Sequence, residues 1–231
     1  DLDPVSYLDL ERVAPHSQNI TAPLRVDCAL TYRLPEETQA DYAPVKRVDR
    51  ELTTAEWKTI LDKAWAVGIP HVTFTGGEPT LRSDLPELIA HAEKNGQVCG
   101  LFTAGRKLAE KDYLRQLLDT GLDHVLFLLQ PDSIESWKAL ENIMAEDLFA
   151  TVHLTLTDNN VENTDEVIDR LAQIGVRSLS LGIAHPSLNE RSLGIRNLAA
   201  SKGITLRWDL PVPYSQDNPI TAEGLEEQTP D

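Results

Sequence analysis

Three groups of residues have types and spacings suited to chemistry. The first is Thr75-Gly76-Gly77-Glu78-Pro79-Thr80-Leu81-Arg82, directly after an apolar run that begins at His71. Paired glycines let a backbone turn sharply or approach a neighbour closely. An acid followed by proline suits the start of a helix. The string therefore reads as a tight strand-to-helix turn, a ligand-contacting loop, or both. The second group is the two cysteines, Cys28 and Cys99. Two thiols build neither a disulfide framework nor a cysteine-based metal centre on their own, and Cys28 reads as a small buried strand residue. The third group is His153 and His185 with Asp158 or Asp209, a two-histidine carboxylate set that scattered strands produce easily by chance. His16, His71, His91 and His124 read as surface or strand-end residues without partners.

The elements that position these groups repeat. β-rich apolar runs begin near His71, Gln97, His124, Thr151, Ser178 and Ile204, at steps of 26 or 27 residues. Each is followed by a helical stretch, and Gly68, Gly96, Gly121, Gly175 and Gly203 stand where such stretches end, as left-handed helix stops do. Thr53 with Glu56 three residues later suits a capping box. Trp57, Ile60, Leu61 and Ala64 then make one apolar face, as do Val167, Ile168, Leu171 and Ile174 in a later helix. Trp57, Trp65 and Trp137 fall on helices, and core packing is expected for them. Strands such as VTFTG and HVLFLLQ suit a parallel sheet covered by helices. An earlier strand at Leu24 to Cys28 makes about seven strands in all, and consecutive βα units of this kind curl into a barrel or an open doubly wound sheet. The one long spacing, Leu30 to Leu52, places an insertion on the face formed by the strand C-termini. That face gathers Glu78, Thr103, Gln130, Thr157, His185, Trp208 and Asp209 around one mouth, either as a working pocket or as polar groups paired with each other.

The string TGGEPTLRSDLPEL after the second strand resembles the GGEP motif of radical SAM enzymes of the peptide-modifying and cofactor-maturation type. The likeness runs from about Leu24 to Asp209. It implies a partial (βα)6 barrel for 23–210, with extensions at 1–22 and an acidic one at 211–231. It also implies that Gly76, Gly77, Glu78 and Pro79 stand where the family binds the methionine amino group of S-adenosylmethionine (SAM), with Thr103, Gln130, Thr157 and His185 on the same rim.

The family holds a 4Fe–4S cluster through three cysteines spaced C-x3-C-x2-C after the first strand, because cluster iron needs thiolates. With Cys28 as the first ligand, the other two positions are Tyr32 and Pro35. With the strand aligned on Leu24 and Val26, the three positions become Leu30, Leu34 and Glu37. Neither register keeps more than one cysteine, so no cluster is expected, and SAM binding is expected to be weak at best. Ala104 also stands where the family's Thr-Asn-Gly turn has an amide. Arg33, Arg47 and Arg50 are expected to neutralise Glu78, since a buried unpaired carboxylate is costly.

The chain carries 37 acids against 21 bases, a formal charge of −16. Such a surface repels phosphate backbones, so nucleic acid is not expected as a partner. No run of 18 apolar residues suggests a membrane span. The first residue is Asp1, and nothing near it resembles a signal, so a processed or trimmed chain in the cytoplasm is expected. The reading favoured is a radical-SAM-like domain without cluster chemistry. It would bind a protein or peptide partner, or assist an active radical SAM paralogue. The alternative is an enzyme that uses the rim for non-radical chemistry, or a cluster supplied by sequence outside this chain.

Overall fold

The computed structural model describes residues 22–35 and 50–207. Among the described residues, seven strands alternate with six helices in the order β1 (Arg25–Thr31), α1 (Thr54–Ala66), β2 (His71–Gly76), α2 (Leu85–Asn95), β3 (Val98–Thr103), α3 (Lys111–Asp119), β4 (His124–Leu128), α4 (Ile134–Met144), β5 (Phe149–Leu156), α5 (Thr164–Ile174), β6 (Ser178–Ile183), α6 (Asn189–Ser201) and β7 (Thr205–Leu206). All strands are parallel and lie side by side in chain order, the topology of the expected partial barrel. Of the expected extensions at 1–22 and 211–231, residues 1–21 and all of 211–231 lie outside the described residues, as do Arg47, Trp208 and Asp209. The expected insertion is described only at its ends.

The local signals act as their chemistry requires. The Thr53 side chain accepts the Glu56 amide while the Glu56 carboxylate accepts Thr53 N at 2.9 Å, closing the capping box of α1. Gly96 and Gly175 end α2 and α5 at φ +90° and +97°, backbone angles that residues with a Cβ adopt only under strain.

Alternation sorts the sheet into two faces. Cys28, Phe74, Leu101 and Val125 form one row across β1–β4, and Phe127, Val152, Leu179 and Leu206 form another across β4–β7. Both rows belong to the core with Leu61, Leu88, Ile89, Leu114, Leu140, Ile168 and Ile195 of the helices. The other face carries Asp27, Thr73, Gly100, His124, Thr151, His153, Ser178 and Ser180 on the intervening positions. The apolar layer between sheet and helices therefore holds the fold together. The opposite face is free to be polar.

Two sequence expectations fail here. Trp65 is 45% exposed rather than core, its ring lying beside Gly96, while Trp57 and Trp137 are buried as expected. His91 is not partnerless: its Nε2 lies 2.7 Å from Asp62 Oδ1. His71 and His124 also meet, with ring centroids 5.6 Å apart.

Candidate functional site

The turn after β2 is built by close backbone approach. Gly77 N donates to Thr31 O at 2.7 Å, and Glu78 N donates to Arg33 O at 2.8 Å, extending the β1–β2 pairing past the strand ends. A Cβ on Gly76 would lie 2.4 Å from Thr31 O, and one on Gly77 would lie 2.2 Å from Arg33 O. Only glycine fits either position. Pro79–Leu81 then forms a single 3-10 turn with Glu78 as its N-cap, the helix-start role expected from the string.

Glu78 is 3% exposed. Its Oε1 accepts Thr80 N at 3.0 Å, Thr80 Oγ1 at 2.6 Å and Thr103 Oγ1 at 2.6 Å. Its Oε2 accepts Ala104 N at 3.0 Å and Gly105 N at 3.4 Å. Five donors surround one carboxylate, so the charge is met by oriented N–H and O–H dipoles rather than by a cation. This corrects the expectation that Arg33 or Arg50 would neutralise it. The Arg33 side chain donates to Thr31 Oγ1 and Leu81 O, and Arg50 pairs with Glu56 at 2.6 Å.

A second polar knot closes the base of the insertion. Arg82, 7% exposed, donates to Leu30 O at 3.0 Å and Leu52 O at 3.1 Å, and forks onto Asp84 at 2.8 and 2.6 Å. Hydrogen bonds from Arg82 hold the Asp84 carboxyl below its usual range. Glu51 accepts from Thr31 Oγ1 and Tyr32 N. Burial pushes its carboxyl up, but these bonds and the nearby Arg33 and Arg82 charges bring it below the usual range.

The remaining rim residues divide. Gln130 accepts from Arg106 at 3.3 and 3.2 Å. With Gly77, Glu78, Leu34, Pro35 and Leu128 these two line a cavity of about 160 Å³. Thr157 and His185 are not among its lining residues. Thr157 N donates to Asn160 within a turn, and His185 bridges Ser187 at 2.6 Å and the exposed Asp158 at 3.1 Å. His153 is 2% exposed and bonded to Ser180 Oγ and Thr155 Oγ1. Burial lowers its pKa to about 4, so it is a neutral, internally satisfied imidazole at neutral pH.

The donor set does not fit a 4Fe–4S cluster. Cys28 is 2% exposed and sits in the helix-facing core row beside Phe74. Burial, with Asp27 nearby, raises its pKa to about 12, far from the thiolate that iron requires. Tyr32 and Pro35 carry no soft ligand. Of the other register, Leu30 is core, Leu34 lines the cavity and Glu37 lies outside the described residues. Among the described residues, Glu93, Cys99 and Asp123 place ligand atoms within 4.8 Å of one another. Cys99 and Asp123 sit where β3 and β4 begin and Glu93 near the end of α2, away from Glu78, and Asp123 already accepts Cys99 N at 2.7 Å. No helix among the described residues is long and apolar enough to cross a membrane.

Residues 28–130 match the radical SAM superfamily. A PqqA peptide cyclase of Streptomyces rochei is 30% identical over 197 residues, covering 78% of this chain and 52% of that protein. One from Bradyrhizobium diazoefficiens is 37% identical over 123 residues, covering 52% of this chain and 32% of that protein. The chain thus spans about half the length of the Streptomyces relative and about a third of the other. Among solved structures, Streptococcus suis SuiB bound to precursor peptide SuiA superposes with a TM-score of 0.64 at 16% identity, over 81% of this chain and 48% of SuiB. SuiB bound to S-adenosylmethionine gives 0.65 at 14% identity, over 82% and 50%. At these identities the superpositions speak for the fold.

Proposed function

The chain carries a radical SAM superfamily domain, and on that premise we propose that it is a cluster-free, non-radical member whose strand-end face binds a peptide or protein partner. The observation that carries the reading is the donor set in and just after β1. Its one cysteine lies in the core on the far side of the sheet from the polar face, and the flanking positions offer no thiolate. Without cluster iron, SAM loses the chelation that anchors its amino and carboxylate groups. The amides of Gly77 and Glu78 and the Glu78 carboxylate are all engaged internally. The cavity of about 160 Å³ is well below the roughly 300–1,000 Å³ of pockets that hold drug-sized ligands. A peptide partner is supported by SuiB, whose solved structure holds a precursor peptide. Assistance to an active radical SAM paralogue is the role such a binding domain would fill in a peptide-modifying pathway.

Anaerobic reconstitution with iron and sulfide tests the reading. The expected product is colourless, with iron far below stoichiometric. About four iron per chain with broad cluster absorbance overturns it. Calorimetric titration of SAM is expected to give a Kd of roughly 0.1 mM or weaker, about 5 kcal/mol or less. Micromolar binding that Glu78→Ala abolishes overturns it equally.

A further inference from the structure

A mixed thiol and carboxylate cluster lies at the end of the sheet opposite Glu78. It joins three elements: Glu93 on α2, Cys99 on β3 and Asp123 just before β4. The Cys99 Sγ and one oxygen of each carboxylate all lie within 4.8 Å of one another. Two carboxylates at this distance repel each other. Yet among the described residues neither forms an ion pair, and the Glu93 carboxylate accepts no hydrogen bond. Room for the Glu93 side chain comes from Gly121, where a Cβ would lie 2.5 Å from Glu93 Cγ. Asp123 is oriented by the thiol's own residue: Cys99 N donates to Asp123 Oδ2 at 2.7 Å, and Asp123 N donates to Cys99 O at 3.0 Å. Cys99 is fully buried while both acids are exposed, so the sulfur forms a floor that solvent reaches past the carboxylates. The S–H makes long contacts with Gln97 O at 3.5 Å and Ile89 O at 3.8 Å, which a metal bond would replace. Calcium and magnesium prefer all-oxygen sets. A thiolate selects zinc-class ions, and one sulfur, two carboxylate oxygens and a water complete a zinc tetrahedron. Zinc bond lengths place such ligand atoms roughly 3.5 Å apart, so the cluster would close by about 1 Å.

We propose that Glu93, Cys99 and Asp123 bind one zinc-class divalent cation, which clips α2 to the starts of β3 and β4. On binding, the Cys99 thiol gives up its proton to solvent, and a water fills the fourth position. The chain's charge of −16 favours a cation's approach. This goes beyond the reading above and does not rest on it. A single thiolate holds no 4Fe–4S cluster, and the site lies away from Glu78.

The test takes the whole chain, stripped with a chelator, and titrates it with cadmium while thiolate-to-cadmium absorbance is followed. Zinc and magnesium are titrated by calorimetry. The absorbance is expected to saturate at one cadmium per chain, with micromolar or tighter zinc binding and at least 100-fold weaker magnesium binding. Cys99→Ser is expected to abolish the absorbance. Glu93→Gln and Asp123→Asn are each expected to weaken zinc at least 10-fold, and Asp123→Asn keeps an acceptor for Cys99 N. If Cys99→Ser fails to fold, the exposed Glu93→Gln decides, because zinc should raise the melting temperature of the wild type and not of that variant. No saturable zinc binding, absorbance that survives Cys99→Ser, full zinc affinity in both carboxylate variants, or equal affinity for magnesium overturns the proposal. The proposed function fails separately, through sulfide-dependent incorporation of about four iron per chain or micromolar SAM binding, neither of which these titrations measure.

Discussion

The ends of β2 and β3 and the ends of β5 and β6 belong to one sheet but are finished in opposite ways. At β2 and β3 the Glu78 carboxylate is 3% exposed and ties the Pro79–Leu81 turn to the Thr103-Ala104-Gly105 turn. Arg82 fastens both ends of the insertion to the same place. At β5 and β6 the His185 side chain is 41% exposed, and its Asp158 partner is 76% exposed. The difference teaches that the motif-bearing half is a structural unit in its own right. Every polar group of Glu78 is accounted for by protein donors, so this half needs no ligand to be ordered. The β5–β6 ends hold a surface pair that solvent can replace.

The sharpest way to break this comparison is Gly77→Ala. Its Cβ would meet Arg33 O at 2.2 Å, and backbone cannot step aside cheaply. A loss of about 4 kcal/mol is expected in urea unfolding, from overpacking and forced backbone strain. Gly175→Ala, with nothing within 4 Å but φ at +97°, should cost only about 1 kcal/mol. Equal losses at the two positions would dissolve the contrast. Next is Glu78→Ala, which strands buried donors on two loops and should cost about 3 kcal/mol. Glu78→Gln keeps one acceptor oxygen and should recover part of that in the same assay. A Glu78→Ala loss under about 1 kcal/mol would mean the carboxylate is held for a ligand instead.

His153, on the polar face within β5, sets a pH dependence. Burial depresses its folded pKa to about 4, below the unfolded value near 6.5. The stability it contributes is fully present above pH 6.5. It declines as pH falls, because the unfolded chain takes up the proton first. Between pH 7 and pH 5 the expected loss is about 2 kcal/mol. Urea midpoints for the wild type and His153→Gln should diverge in slope over that window, and parallel curves would contradict the burial argument. The smallest effect is expected at His185→Ala, below about 0.5 kcal/mol, as for exposed ion pairs generally. A larger loss would show that the β5–β6 end is also a knit structure.

Much of this was legible in the residues. The 26 to 27 residue rhythm marked every strand from β2 to β7 to within two residues, because apolar runs and left-handed glycine stops are local signals. The capping box at Thr53 and the turn at Glu78 followed from residue type alone. The partners of charged groups were not legible. Arg33 and Arg50 were matched to Glu78 by charge, yet hydroxyl and amide dipoles satisfy it. His91 found Asp62 from a different helix. Trp65 looked like core from its helix position but lies on the outward side of α1.

The order of βα units, the parallel sheet and the shortage of cysteines were determined by the sequence itself, since periodicity and composition need no partner to be read. Which face Cys28 occupies, how Glu78 is neutralised, and how Arg106 and Gln130 come to share a cavity with it were decided only by tertiary structure. These depend on residues 25 to 52 positions apart in sequence being brought within hydrogen-bonding distance, as Thr103 is to Glu78 and Leu30 to Arg82. No local pattern encodes such distances. They follow from strand register and from the requirement that every buried polar group find a partner.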